Sequence, residues 1–570
     1  MINQKIIKLR KLIKLNNLDG YIIPKNDAYF SEHSSPNRLE MITNFTGSAG
    51  FAIILKNKNY LFVDGRYSIQ AKIQSGKYFK VLEIPKISLK QILNNIKKKL
   101  LIGFDPELFT SSDLKKKFSN TCNLLPINEN LIDKIFKIKK KKMVVSFYSL
   151  NDRITGENMN SKINRLIKIM KSKSINNIFI SAPENVAWLL NIRGGDNPHS
   201  PLPNCKIILT NKRKIYFFSC PKKIQGIKKQ KNYKKFTFCT YEDFFKVIHK
   251  LKGDNFCIDS STCSVSNENL INKLFNIKLN KDPCYIMKSV KNKFELKHII
   301  NAHIADGLAL TKFIYWIKCQ NKKKLTEINA QSKLEKFRKL DKSYLFPSFN
   351  TIAGTGANGA IVHYKATKKS TKVIKKNDIF LCDSGGQYKY GTTDVTRTIC
   401  FSSQKQSIKD IFTKVLKGHI AVAQTNLKRD NTGKKIDLRA RKFLKKDGLD
   451  YAHGTGHGVG FFLNVHEGPQ SISKYNSIEI KKGMVLSNEP GFYKKNHFGI
   501  RIENLIYVKQ TMNTLHFENL TLAPIEKDLI NNDLLNKSEK EYLFKYHMSV
   551  YAQYSSSLNK KERTWLASLI

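Results

Sequence analysis

The sequence predicts an α/β (α+β) protein of several domains: two related α/β domains, then a third domain that carries most of the chemistry, then a short extension. Three observations lead there. At 570 residues the chain is too long for a single hydrophobic core, and roughly two to four domains are expected. Strand-like runs alternate with helical patterns over 1–134, and the same rhythm returns over 155–285. From 286 the pattern changes to a long helical stretch followed by paired strand-like segments, ending near 510.

The elements follow in order. Ile6, Leu9, Leu12 and Ile13 recur at helical spacing, so the basic N-terminal segment reads as an amphipathic helix leading into the strand "GYIIP". It lacks the apolar core and small-residue cleavage site of a signal peptide. "GFAIIL", "YLFVDGRYS" and "LLIGFD" supply further strands of the first domain, 1–134. The lysine run "KIKKKK", 137–142, reads as a linker. The second domain, 155–285, opens on the helix "INRLIKIMKSK". Its order "IFISAPENVAWLL…PNCKIILTNKRKIYFF" parallels "YIIPKNDAYFSE…TGSAGFAIILKNKNYLFV" in the first, which predicts two copies of one fold. The basic run 227–235 reads as a linker or surface hairpin. A long helix near 290–320 opens the third domain, 286–510, and a polar, partly helical extension occupies 511–570.

Composition narrows the class. With 41% hydrophobic and 11% aromatic residues the chain can bury a sizeable core, and no apolar run is long enough to span a membrane. The ten cysteines are scattered without CxxC pairs, which argues for reduced thiols in a cytoplasm rather than a disulfide framework or zinc ribbon. The formal charge of +55 is the oddity. Lysine is spread everywhere, alongside abundant Ile and Asn, as a bias toward AT-rich codons would produce. There is no Arg-rich stripe and no nucleic-acid-binding motif. The expectation is no specific nucleic-acid partner, and nonspecific polyanion binding only at low salt.

Two hairpins in the third domain hold carboxylates. In "DIFLCDSGGQYKYGTTDVTRTICF", a hairpin centred on Tyr388–Lys389 sets Asp383 opposite Asp394. In "MVLSNEPGFYKKNHFGIRIENLIYV", a hairpin centred on Asn496 sets Glu489 opposite Glu503. Residues directly opposite have β-carbons about 4.5–5.5 Å apart, and like charges there destabilise a sheet. Two such pairs on strands apolar enough to be buried demand a cation. Oxygen-rich ligation completed by an imidazole from "HGTGHGVG" suits a pair of hard divalent ions. The glycines of 454–458 then have a reason: they let the backbone pass close to ions and substrate.

The order Asp–Asp…His…Glu–Glu resembles the dimetal "pita-bread" metallopeptidases. "DSGGQYKYGTTDVTRT", "HGTGHGVGFFLNVHEGP", "NEPGFY" and "GIRIEN" closely resemble the long, three-domain Xaa-Pro aminopeptidases. "GYIIPKNDAYFSE", "FTGSAGFAIIL" and "FVDGRYSIQA" are similar to that family's first domain, "ENVAWLLNIRGGD" to its second, and "TLAPIEKDLI" to its C-terminal extension. The resemblance covers essentially the whole chain, and no ligand position departs from it.

The resemblance implies a pita-bread catalytic domain, two divalent ions per chain (Mn²⁺ above all) and often a cytosolic homodimer. It implies Asp383, Asp394, His457, Glu489 and Glu503 as metal ligands, with Asp394 and Glu503 bridging. The ions would hold a hydroxide and polarise the scissile carbonyl, and Glu489 would also shuttle the proton. His466 is implied at the tetrahedral intermediate, His453 as a further substrate contact, and His363 near the proline pocket. Arg66 matches an arginine that reaches the peptide; Asp64 beside it reads as a turn residue. Arg501, two residues before Glu503, shares its strand face and reads as a group orienting the carboxylates.

The expected activity is release of the N-terminal residue from peptides with proline at position two. The nearest alternative is a prolidase restricted to Xaa-Pro dipeptides. From another class, a non-catalytic peptide- or nucleic-acid-binding relative would have decayed ligands, and here all five are intact.

Overall fold

The structure is a computed structural model describing residues 2–33, 35–87, 89–93, 99–136, 145–320, 324–512 and 514–570. The lysine run read as a linker at 137–142 lies outside the described residues. The chain divides into two compact units, the first comprising 1–151 and 157–285, the second 152–156 and 286–570.

The first unit contains the same sheet twice. Its N-terminal helix α1 (Ile2–Leu15) buries Ile2, Ile6, Leu9 and Ile13 on one face, as the spacing predicts. Six strands follow: β1 (Gly20–Pro24), β2 (Phe51–Leu55), β3 (Asn59–Val63), β4 (Lys80–Glu83), β5 (Leu101–Phe104) and β6 (Asn123–Pro126). They lie in the order β4-β3-β2-β1-β5-β6. The second set is β7 (Asn177–Ile180), β8 (Lys206–Thr210), β9 (Ile215–Phe218), β10 (Thr237–Cys239), β11 (Asn255–Ile258) and β12 (Asn276–Leu279). Their order, β10-β9-β8-β7-β11-β12, is the first order repeated. Pairing sense repeats as well: the first three strands of each set are antiparallel, and the other three neighbours are parallel. The duplication legible in the two sequence halves is thus a duplication of topology.

Both faces of the first sheet are buried, which is why β1–β3 read as continuous apolar runs. Tyr21, Ile23, Ala52 and Ile54 face one core, and Ile22, Phe51, Ile53 and Leu55 the other, with the period of two that a strand imposes. The basic run 227–235 is neither linker nor hairpin. It forms a short helix over Gln225–Lys228 and a 3-10 turn at Lys231–Tyr233. Ile227 and Tyr233 are buried, and the Tyr233 hydroxyl donates to Leu190 O at 2.9 Å, so two apolar anchors fix a segment whose lysines face solvent.

In the second unit, α2 (Lys293–Cys319) starts where Asn292 accepts from the Phe294 and Glu295 amides while Glu295 reaches back, a capping box. Strands β13 (Ile352–Thr355), β14 (Ile379–Ser384) and β15 (Val395–Cys400) make a three-stranded sheet with β14 central. A five-stranded sheet joins β16 (Gly456–Gly458), β17 (Glu467–Ile472), β18 (Val485–Asn488), β21 (Asn504–Thr511) and β22 (Thr514–Asn519) in the order β17-β16-β18-β21-β22. Between β18 and β21 the chain forms the two-stranded hairpin β19 (Gly491–Lys494) and β20 (Phe498–Arg501). The extension is no loose tail. Ile525, Leu529, Leu543, Tyr546 and Val550 share one core with Phe412, Leu416 and Ile500.

Candidate functional site

The two hairpins differ in how closely they follow the sequence expectation. In the second, Asn488 pairs with Asn504 and Gly491 with Arg501, so Glu489 and Glu503 lie at facing positions between the two ladders, as a turn centred on Asn496 requires. The first is corrected. Its register pairs Asp383 with Thr396 and Gln387 with Thr392, so the turn falls at Lys389–Tyr390, one position later than expected. Asp394, just before β15, is therefore diagonal to Asp383 rather than opposite. A two-residue shift in pairing keeps every side chain on its face, so both carboxylates still reach the same cluster.

His457 sits at the centre of β16, between two glycines that are themselves closely approached. A Cβ on Gly456 would lie 1.9 Å from Ser487 O, and one on Gly458 would lie 2.2 Å from Gln470 Nε2 and 2.3 Å from Glu467 O. These two glycines admit the neighbouring strands on either side of the histidine. His457 Nδ1 lies 2.9 Å from Gly458 O, so the N–H at that nitrogen donates to the carbonyl and Nε2 is turned toward the carboxylates. Nε2 is 3.4 Å from Asp394 Oδ2 and 3.6 Å from Glu489 Oε1.

Ligand atoms of Asp394, His457 and Glu503 all lie within 4.8 Å of one another. Asp383 borders this group through Arg501, whose Nη2 donates to Asp383 Oδ2 at 2.7 Å. Arg501 Nε donates to Thr396 Oγ1 at 3.0 Å, and that hydroxyl donates to Glu503 Oε2 at 2.7 Å. Ser487 Oγ accepts from the His457 amide at 2.9 Å and lies 3.3 Å from Glu489 Oε1. Arg501 is 2% exposed, so it is not a surface charge.

Electrostatics show how poorly this cluster suits itself without a cation. Two like charges 4 Å apart at an effective dielectric constant of 20 repel by about 4 kcal/mol. Burial, then the charges of Asp383 and Glu489, push the Asp394 carboxyl up to about 6 despite its hydrogen bond to His457. Burial followed by the charges of Asp394, Glu489 and Asp383 raises Glu503 well above the carboxylate range. Burial alone would lower His457, but the Asp394 hydrogen bond and the charges of Glu489 and Asp394 outweigh it and lift the ring to about 9. Asp383 Oδ1 is buried and has no hydrogen-bond partner among the described residues. An orphaned carboxylate oxygen beside two carboxylates and an imidazole is a donor set that fits hard divalent cations.

His453 and His466 flank the cluster. His453 Nε2 lies 2.8 Å from Tyr493 OH and its Nδ1 2.8 Å from Gly454 O. With Arg501 Nη1 donating to the same tyrosine oxygen at 2.6 Å, the phenol donates to His453, whose Nδ1–H donates to the carbonyl. His466 is exposed and packs edge-on against the His457 ring, centroids 4.3 Å apart. His363 is half-buried beside Tyr364, which packs with Ile352, Leu381 and Tyr493. Arg66 belongs to the first unit, where Nη2 and Nε hold Asp64 at 2.7 and 3.0 Å. Asp64 also accepts from the Arg66 amide, so it is both the turn residue expected and the arginine's partner.

Sequence reasoning missed Tyr493, Thr396 and Arg397. Buried Arg397 donates to the carbonyls of Thr396, Glu503, Ala523 and Pro524, to Asn504 Oδ1 and to Tyr546 OH, at 2.6–3.0 Å. It ties the Glu503 backbone to the C-terminal extension. The alternation "VTRT" signals polar side chains on an otherwise apolar strand, the one sequence cue that could have found Thr396 and Arg397.

Comparison with known proteins sets this geometry in context. Residues 297–510 match the family described as Metallopeptidase family M24. Residues 5–135 and 139–295 each match a Creatinase/Prolidase N-terminal domain, and 513–569 the C-terminal region of peptidase M24. A "Probable Xaa-Pro aminopeptidase P" of Laccaria bicolor is 36% identical over 595 residues, covering 99% of this chain and 92% of its own length. "Xaa-Pro aminopeptidase 1" of Dictyostelium discoideum is 34% identical, covering 100% and 96%. The crystal structure of X-prolyl aminopeptidase from Caenorhabditis elegans, described as a cytosolic enzyme with a di-nuclear active site, matches with a TM-score of 0.92 at 28% identity, covering 100% and 99%.

Proposed function

The chain belongs to the Xaa-Pro aminopeptidase P family and carries its M24 metallopeptidase fold, and from that premise we propose that it releases the N-terminal residue from peptides with proline at position two. It is an aminopeptidase, a hydrolase. The observation that carries the finer reading is the convergence of Asp394, His457 and Glu503 within 4.8 Å, with the unpartnered oxygen of Asp383 beside them.

Asp383, Asp394, His457, Glu489 and Glu503 would hold two divalent ions, and the oxygen-rich set favours Mn²⁺. When bound, such a pair supplies a Lewis acid for the scissile carbonyl and lowers the pKa of the attacking water. The chain's own groups do the rest. Glu489, 18% exposed at its side chain, takes the water's proton on a carboxylate oxygen and passes it to the proline nitrogen. That nitrogen leaves a tertiary amide and cannot depart unprotonated, so a donor is required. His466 extends past His457 toward solvent, where its ring N–H can donate to the developing oxyanion. His453, fixed by Tyr493, and His363 contact the substrate, Arg66 is a peptide contact of the first unit, and Arg501 orients Asp383.

No helix among the described residues is long and apolar enough to cross a membrane. We place the protein in the cytoplasm, in line with the structural relative described as cytosolic, and read it as a homodimer from the family resemblance alone. Metal analysis together with mass spectrometry of Xaa-Pro-Xaa and Xaa-Pro digests tests the reading. Release of Xaa from the longer peptide supports it, and cleavage confined to the dipeptide would make the chain a prolidase.

A further inference from the structure

A buried acid organises a basic loop beside the site. Glu327 is fully buried. Its Oε2 accepts from Tyr364 OH and from the Lys372 amide, both at 2.9 Å, and its Oε1 accepts from the Thr355 amide at 2.8 Å. Tyr364 OH also lies 2.8 Å from Ser370 O. Residues 365–371 are therefore closed into a loop pinned at both ends, and the turn Thr367–Ser370 sits at its far end. Lys365, Lys368 and Lys369 on that loop are all exposed.

The loop's base stands on the sheet face that carries Asp383. Leu381 lies two residues before Asp383 and shares its face, and Ile352 pairs directly with Asp383. Tyr364 packs on both, with Ala366 and Tyr493 against the same cluster. Tyr493 in turn bonds His453 and Arg501. Beyond Tyr493 the hairpin tip carries Lys494 and Lys495, both exposed. The hairpin meets the base of the loop where Tyr493 packs with Tyr364 and Ala366, and the His497 carbonyl and Asp378 both lie near Gly356. Asp378 is the one acid within 361–378 and 493–498, and it already accepts from Thr355 Oγ1 and the Lys375 amide. Among the described residues, none of the five lysine ammonium groups has a carboxylate partner.

We propose that Lys365, Lys368, Lys369, Lys494 and Lys495 form a cationic rim that makes peptides with Asp or Glu beyond the proline the preferred substrates. The proposal rests on the aminopeptidase reading and adds a substrate class to it. A rim of unpaired ammonium groups on a chain of net charge +55 attracts anionic peptides at long range, and clefts lined by one sign of charge raise association rates by roughly 10–10³ at low ionic strength. Screening removes the effect, because the Debye length falls from about 30 Å at 0.01 M salt to about 3 Å at 1 M.

The test compares kcat/KM of the Mn²⁺-loaded enzyme on Ala-Pro-Glu-Glu and Ala-Pro-Gln-Gln, which match in length and shape. The expected ratio is about tenfold in favour of the acidic peptide at 0.01 M salt, falling toward one at 1 M. In K365Q/K368Q/K369Q combined with K494Q/K495Q the low-salt ratio should also fall toward one, with folding checked by circular dichroism. Equal rates in the parent enzyme at low salt overturn the rim and leave the aminopeptidase reading standing. A preference that survives all five substitutions also overturns it, assigning the effect to the charge of the chain as a whole. Failure to cut either peptide overturns both readings.

Discussion

Arg501 Nη2 sits 2.7 Å from Asp383 Oδ2, while the other oxygen of that carboxylate is buried with no hydrogen-bond partner among the described residues. The guanidinium also holds Tyr493 and Thr396, so one planar group fixes a carboxylate, the phenol behind His453 and the hydroxyl behind Glu503. A lysine has one ammonium and cannot span three acceptors in a plane. Arg501→Lys should therefore lower metal affinity or kcat by about 10–100-fold, the range for groups that orient metal ligands. Calorimetric Mn²⁺ titration beside steady-state kinetics checks it, and unchanged values for both would remove Arg501 from the site.

Removing ligands tests the cluster itself. A chelator should abolish activity, and protein purified with Mn²⁺ should carry close to two ions per chain. Asp383→Ala and Glu503→Ala should each abolish activity; Glu503→Ala should leave the fold largely intact, because it thins a crowded cluster of acids, whereas Asp383→Ala also strips the buried Arg501 of its carboxylate partner and should cost stability. Full activity in a metal-free Asp394→Ala variant would sink the dimetal reading.

The metal-free protonation pattern predicts a pH dependence with a definite sign. His457 titrates near 9 in the folded metal-free protein against an ordinary 6.5. Its interaction with Asp394 and Glu489 thus stabilises the metal-free fold fully below about pH 6.5, and that stability is lost as pH rises through 9. Metal binding runs the other way, since a ligating imidazole must be neutral. Mn²⁺ uptake at pH 7.5 should release protons, and apparent affinity should climb from pH 6.5 to 9. Calorimetry in two buffers of different ionisation enthalpy reads the proton count, and a count of zero contradicts the assignment.

What the sequence disclosed and what it hid divide along physical lines. Local periodicity is written in every residue, so α1, the paired α/β domains and the second hairpin's register were all legible. Turn position is set by backbone details that hydrophobic pattern does not encode. The first hairpin therefore folds at Lys389–Tyr390 and leaves Asp394 diagonal to Asp383. Its carboxylates still converge because a shift of two preserves the face. Gly456 and Gly458 were legible as close-approach positions, and Ser487, Glu467 and Gln470 are the groups that approach them. Tyr493 and Arg397 escaped notice because their roles depend on partners distant in sequence. Arg397, for one, reaches Tyr546, 149 residues on.

His466 offers a cleaner separation of roles than any ligand. Its ring lies against His457 yet is exposed, so truncation should spare the metals. His466→Ala should reduce turnover by more than roughly tenfold, the low end for a positioned acid–base or oxyanion group, with metal content unchanged. If metal is lost instead, His466 is a ligand and the place given to His457 fails.

The sharpest prediction concerns the bond that is cut. Proline at position two makes that bond a tertiary amide with no N–H, so a site that required a hydrogen bond from this nitrogen would reject it. In the proposed mechanism the groups gathered here would ask nothing of the nitrogen before it leaves: Glu489 would give it a proton, and the surrounding histidines would address oxygens. An apolar wall around a pyrrolidine ring then turns exclusion into selection, since discrimination follows differential binding of the transition state. Tyr364, Ile361 and Tyr493 supply apolar surface on the His363 side of the site. Ala-Pro-Gln should accordingly lose its N-terminal alanine, and Ala-Ala-Gln should be cut far more slowly, with the difference residing in kcat/KM. Product masses decide among the members of the fold. Free alanine from Ala-Pro-Gln identifies the aminopeptidase, hydrolysis restricted to Ala-Pro identifies a prolidase, and removal of methionine before small residues would point to a methionine aminopeptidase.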